Sequence, residues 1–331
     1  MTSRRARLTV LPTRLRDGPV GRILWGVTFG LTALVSLVYL SGFYLAPPQG
    51  NLFLDSHIYF RATEAWLGGG NPWLTSYRGI SFAGIPPTLL LNVPLIPFGE
   101  TFATVFWVAS NTASIALLVR LLKLPLRTFL MLPVVEGWLG ASPDLTLAAL
   151  AIGGGAWVAV LTKPYSAPSV LGERRWRPLI VAGAIGLATI PMLPWSTFWE
   201  SREAIAQTFA DVAVTPQSAA GNPGLSLLVV IALASLGWRR GWSLATPGLV
   251  AQLPHYMVFS LDVLARSRML TLAAMIPIEH IMAVAVVTHA VVGRVGHWRR
   301  PRRHQGRRLR WRLSRSTAKG RARALERGCR G

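Results

Sequence analysis

The chain has 331 residues, of which 51% are hydrophobic and 15% charged, where a soluble domain carries about 25% charged residues. That shortfall argues against an ordinary water-soluble enzyme and predicts an all-α fold, a polytopic transmembrane helical bundle. The formal charge of +22 sits mainly at the two ends, and the single cysteine, Cys329, excludes an intramolecular disulfide.

Residues 1–22 read as a basic cytoplasmic segment, with Arg4, Arg5, Arg7, Arg14, Arg16 and Arg22 against Asp17. Ile23–Leu45 follows without a charge, long enough to span a membrane core of about 30 Å. It is too long for a signal-peptide core, and no clear cleavage site precedes Pro47-Pro48, so it reads as a retained anchor. Further apolar runs are Ile85–Phe98, Thr101–Val119, Thr128–Leu139, Leu145–Thr162, Leu179–Leu193, Leu225–Trp238, Leu244–Leu264 and Leu270–Val292, with a half-length helix at Tyr165–Leu171. Several are short, which membranes tolerate where neighbouring protein covers the helix. Asn51–Gly70 and, more weakly, Glu200–Asp211 carry amphipathic patterns expected to lie at the membrane surface.

Basic loops stay cytoplasmic. Both termini, Arg174-Arg175-Trp176-Arg177 and Arg239-Arg240 therefore face the cytoplasm, and Ala46–Gly84 and Trp195–Gly224 lie outside. An even number of crossings follows, eight to ten with ten favoured. Arg120, Lys123 and Arg127 fall outside in this arrangement, against the rule. Residues 23–293 form the membrane domain. The tail, residues 294–331, sets fifteen Lys or Arg against one acid, Glu326. It is expected to be disordered and to meet anionic lipid at about 1 kcal/mol per cation, which explains its charge more simply than nucleic acid does.

Asp55 is the leading candidate for chemistry. A carboxylate at the mouth of an apolar cavity is partly desolvated, which raises its pKa toward that of a useful general base. It also fits a helix N-cap, and the two roles can coexist. His57, Tyr59, Arg61 and Glu64 follow on the same short helix; His57 and Arg61 share a face, and Arg61 could pair with a phosphate or with Glu64. Lys163, at the end of an apolar run, either snorkels or lines a cavity. Glu136, Asp144, His255, Asp262, Glu279 and His280 are the other ionisable groups in or near apolar runs, His255-Tyr256 standing out because it falls mid-run. Gly68-Gly69-Gly70 makes no phosphate loop, since no strand precedes it and no Lys-Ser/Thr follows. No metal motif is visible, and no cofactor is expected.

Four stretches together resemble the polytopic GT-C glycosyltransferases, most closely the family 87 type that includes polyprenol-phosphate-mannose-dependent mannosyltransferases. They are Asp55 to Trp73 (an Asp, aromatic residues, an Ala-rich helix, Leu-x-Gly, then Pro-aromatic); Ile85-Pro86-Pro87 with Pro94 and Pro97; Lys163-Pro164 followed by Arg174-Arg175-Trp176; and Trp195–Phe198 followed by Asn222 and Ser226. The resemblance covers about Ile23 to Ser226, and its first stretch is the most specific. Ile85 stands where the family has Tyr, Gly140-Ala-Ser-Pro-Asp144 replaces a Gly-Gln motif, and Asn222-Pro-Gly-Leu-Ser226 replaces Asn-Gln-Ser. The resemblance implies an inverting transfer of a sugar, mannose favoured, from a polyprenyl-phosphate donor to a lipid or glycan acceptor at the extracytoplasmic face. It makes Asp55 the general base, with His57, Tyr59, Arg61, Glu64, Lys163, Asn222, His255 and Arg266 as substrate-binding candidates. A transporter or lipid flippase, or a non-enzymatic relative, is the alternative.

Overall fold

A computed structural model describes residues 18–45, 50–212 and 216–298. The basic N-terminal segment to Asp17, Pro47-Pro48 and the tail beyond Trp298 lie outside the described residues. The chain divides into two units, Met1–His289 and Ala290–Gly331, and the candidate site belongs to the first.

The described residues are mostly helical. Helix α1 (Pro19–Tyr44) starts with proline, whose missing N–H is no loss in a first turn. Its 26 residues are about 39 Å long. Only Phe29, Ala33, Ser36, Leu40 and Tyr44 are buried, while Ile23, Leu24, Val27, Leu31 and Leu34 are exposed. The helix is long and apolar enough to cross a membrane, and such an exposed face suits hydrocarbon. Short helix α2 (Leu54–Leu67) follows, then a hairpin, β1 (Ser76–Tyr77) paired antiparallel with β2 (Ile80–Ser81). The hairpin turn puts both Arg78 and Gly79 at positive φ, as a two-residue primed turn requires.

Helix α3 (Glu100–Leu122) is the second helix long and apolar enough to cross a membrane. Thr104, Asn111 and Ser114 point inward beside Ala103, Trp107 and Leu118, while Phe102, Val105, Leu117 and Leu121 point out. Asn111 is fully buried, donating to the Ser142 carbonyl (2.8 Å) and accepting from the Thr146 hydroxyl (3.0 Å). Asn111→Leu is expected to lower stability by about 1–3 kcal/mol, because both partners lose their bonds inside the protein; the check is the unfolding midpoint in detergent.

The remaining apolar runs are interrupted, and proline or glycine accounts for most of the breaks. Pro86, Pro87, Pro94 and Pro97 divide Ile85–Phe98 into two 3-10 helices, Pro86–Leu91 and Val93–Phe98. Thr128–Leu139 becomes a 3-10 turn and α4 (Leu132–Leu139), with Pro133 in its first turn. Leu145–Thr162 splits into α5 (Asp144–Gly153) and α6 (Ala156–Thr162) at Gly154, whose φ of +113° favours glycine. Next come α7 (Ala167–Gly172), α8 (Trp176–Ala188), α9 (Trp195–Glu200), α10 (Arg202–Val212) and α11 (Pro223–Ser235). Leu244–Leu264 breaks most. Helix α12 (Trp238–Ala245) runs into a π turn at Thr246–Val250, a 3-10 helix Pro254–Ser260 and the single turn α13 (Leu261–Leu264). The last run becomes α14 (Arg268–Met275) and α15 (Ile281–Trp298), with Pro277 between them. Against the eight to ten expected crossings, two described helices are long and apolar enough to cross a membrane, and five further apolar stretches have 10–17 residues.

A large apolar cluster joins α4, α5, α12 and the segments around Met257 and Met275, and carries α1 and α3 on its flank. A second cluster packs Leu54, Ile58 and Ala62 of α2 against Trp73, Phe82 and Leu89. The candidate site lies where α2 meets α4.

Candidate functional site

Asp55 does not cap α2. The capping position falls on Phe53, held at φ +59° with its N–H donating to the Leu139 carbonyl (2.8 Å). The Asp55 N–H donates to the Gly140 carbonyl (3.0 Å). Backbone bonds thus staple α2 to the end of α4, and the Asp55 carboxylate, 22% exposed, faces a cavity of about 590 Å³. It makes no side-chain hydrogen bond among the described residues. Burial pushes its carboxyl above the usual carboxylate range, and the nearby His255 and Lys163 charges pull only partly against that. Gly140 backs Asp55 closely: a methyl group there would lie 3.3 Å from the Asp55 Oδ2, the Tyr44 hydroxyl and the Glu136 carbonyl.

Two basic side chains share this cavity. Lys163 leaves the end of α6 and is 6% exposed. Its Nζ lies 3.5 Å from Asp144 Oδ1, contacts the Tyr59 hydroxyl, and stands 4.7 Å from the centre of the Tyr59 ring. His255 is delivered by the proline-broken segment before α13; its backbone N–H donates to Glu136 Oε2 (2.7 Å). The His255 Nε2 is 3.9 Å from Asp55 and 3.4 Å from Asp144, and its Nδ1 is 3.3 Å from Glu136. Tyr165 donates to Asp144 Oδ1 (2.7 Å) and stacks on Tyr256 at 4.2 Å. Three carboxylates, two bases and three tyrosines therefore meet at one end of the cavity. Much of the remaining lining is apolar, with Phe82, Phe198, Ile205 and Phe209 among its walls. Among the described residues, no group of three or more His, Cys, Asp or Glu is arranged to hold a metal ion.

The other residues singled out from the sequence sit elsewhere. Asp55 and Tyr59, one turn apart on α2, line the cavity, whereas His57 and Arg61, two positions later in each case, lie on the opposite face. That second face is occupied by Glu100: His57 Nδ1 lies 2.9 Å and Arg61 Nε 2.8 Å from its carboxylate, and Tyr77 stacks against both. Arg61 pairs with Glu100 rather than Glu64, and Glu64 is exposed. Asn222 caps α11, accepting from the Leu225 N–H (3.0 Å). Arg266 pairs with Asp262 and donates to the Leu122 carbonyl (3.0 Å). Neither Asn222 nor Arg266 lines the cavity.

Glu136 and Asp144, which the sequence marks only as ionisable groups near apolar runs, complete the cluster with Tyr165 and Tyr256. Their rarity in an apolar chain is the one signal the sequence offers; their convergence is not legible there, because they come from four separate segments. No protein-family model, no curated protein and no solved structure matches the chain.

Proposed function

We propose that the protein is a multi-pass membrane glycosyltransferase of the GT-C type, with both termini cytoplasmic. It moves a sugar, mannose favoured, from a polyprenyl-phosphate donor to a lipid or glycan acceptor at the extracytoplasmic face. The observation that supports this best is one cavity lined by a desolvated carboxylate, two basic side chains and apolar walls. The broken short helices fit a bundle in which successive pieces complete a crossing, each covered by its neighbours.

In the proposed reaction Asp55 takes the proton of the acceptor hydroxyl as its oxygen attacks the anomeric carbon from the face opposite the phosphate. The new carbon–oxygen bond forms as the bond to the phosphate breaks. The electron pair leaves with the polyprenyl phosphate, and the configuration inverts. Lys163 and His255 are the cations near enough to the cavity to stabilise the phosphate charge. The apolar walls are suited to the first isoprene units. Asp144, Glu136 and Tyr59 hold the two cations in place.

The test is to incubate detergent-purified wild type and Asp55→Ala with radiolabelled polyprenyl-phosphate mannose and a membrane lipid extract. Labelled product from wild type alone supports the reading with Asp55 as base. Product from both keeps the transferase and moves the base elsewhere. No product across a panel of polyprenyl-phosphate sugars favours the transporter or the non-enzymatic reading. Gly140→Ala is a subtler probe: the added methyl displaces Asp55, so turnover is expected to fall about tenfold with an unchanged unfolding midpoint.

A further inference from the structure

A second cavity, of about 350 Å³, lies between α11 and α12, within the range of small-ligand pockets. Its walls are apolar and include Val230, Leu233, Ala234, Trp238, Trp242 and Leu249. Helix α12 turns Trp238, Gly241, Trp242 and Ala245 toward it, the i, i+3, i+4, i+7 face of a helix. Gly241 permits the close approach, since a methyl group there would collide with the Leu233 carbonyl.

The rim is basic. Arg239 and Arg240 leave α12 and are exposed. The Trp238 indole donates to the Leu171 carbonyl (2.9 Å), and the Trp176 and Trp238 rings lie 6.2 Å apart. Those contacts place the Arg174–Arg177 segment, more than sixty positions away in the chain, beside Trp238. Arg175 pairs with Glu173 (3.5 Å) and Arg239 with Asp262 (3.8 Å). Among the described residues Arg174, Arg177 and Arg240 have no carboxylate partner. Exposed tryptophans over unpaired arginines match the boundary between headgroup and hydrocarbon.

We propose that this groove binds one acyl chain of an anionic phospholipid, with the lipid phosphate held by arginines that flank Trp176 and Trp238. Charge complementarity selects the occupant: three uncompensated cations favour a headgroup with net negative charge over a zwitterionic one, and the apolar groove takes the chain. The site shares no residue with the Asp55 cavity, so it can fail while the transferase reading stands, and the reverse.

The test titrates the full chain in detergent with phosphatidylglycerol brominated on its acyl chains and reads quenching of tryptophan emission, with brominated phosphatidylcholine as the comparison. The quenching expected is saturable and at least about tenfold tighter for phosphatidylglycerol. Ala234→Phe, which fills the groove from an exposed position, is expected to remove the saturable component while elution stays monodisperse. The triple variant Arg174→Gln/Arg177→Gln/Arg240→Gln is expected to keep the quenching and lose the preference between lipids. Glycerol 3-phosphate, a phosphate without a chain, should not compete. Equal quenching by both lipids in wild type, or undiminished phosphatidylglycerol binding in a monodisperse Ala234→Phe, overturns the proposal. If Ala234→Phe fails to fold, the triple variant decides: an unchanged preference there overturns it as well.

Discussion

Asp55→Asn is expected to lower sugar transfer by two to four orders of magnitude, the usual loss when a positioned general base is removed. Asn is close in size to Asp, and the Asp55 carboxylate makes no side-chain hydrogen bond among the described residues. The fold should therefore survive, and the unfolding midpoint should stay within a few degrees of wild type. The pH profile gives a second readout. A base acts in its ionised form, so turnover rises with pH through the Asp55 pKa. Because burial raises that pKa, the acid limb of the wild-type profile should lie above the pH at which a free aspartate titrates. That limb should vanish from the residual activity of Asp55→Asn. A limb at the pH of an unburied carboxylate, or one that persists in the variant, would assign the proton to another group.

Lys163→Met carries the other large effect, and it has two parts. Asp144, fully buried, loses the cation 3.5 Å away. Leaving one member of a buried pair wholly uncompensated costs about 3–5 kcal/mol; His255 stays 3.4 Å from Asp144, so the unfolding midpoint should fall, but by less than that full penalty. Transfer should also fall, by about two to three orders of magnitude, if Lys163 stabilises the departing phosphate. Lys163→Met/Asp144→Asn separates the two. Stability should return, because no unpaired charge remains, while activity should not. Recovery of both together would reduce Lys163 to a structural counter-ion.

The cavity candidates are partly legible in the sequence because an apolar chain makes each ionisable group conspicuous. Asp55, Tyr59, Lys163 and His255 all stand out there, and the structure brings the four to one cavity. What spacing could not separate is the two faces of α2. Asp55 and Tyr59 look into the cavity, while His57 and Arg61, two positions later in each case, look toward Glu100. Asn222 and Arg266 show the converse limit. Each is a plausible ligand by residue type, yet each is engaged in local structure, the first by the start of α11 and the second by Asp262 one turn away. Runs of hydropathy also conceal the breaks. Leu244–Leu264 looks continuous by composition, but Pro247 and Pro254 remove backbone donors, and the resulting turns carry His255 to Glu136.

By itself the sequence determined the helical class, the two long apolar helices and the identity of the rare polar groups, since these depend on composition, run length and local backbone chemistry. Only the tertiary structure decided which polar groups meet. Desolvation of Asp55, the pairing of Lys163 with Asp144, and the gathering of two distant arginine clusters beside Trp176 and Trp238 all depend on contacts between segments far apart in the chain. No local pattern encodes such contacts.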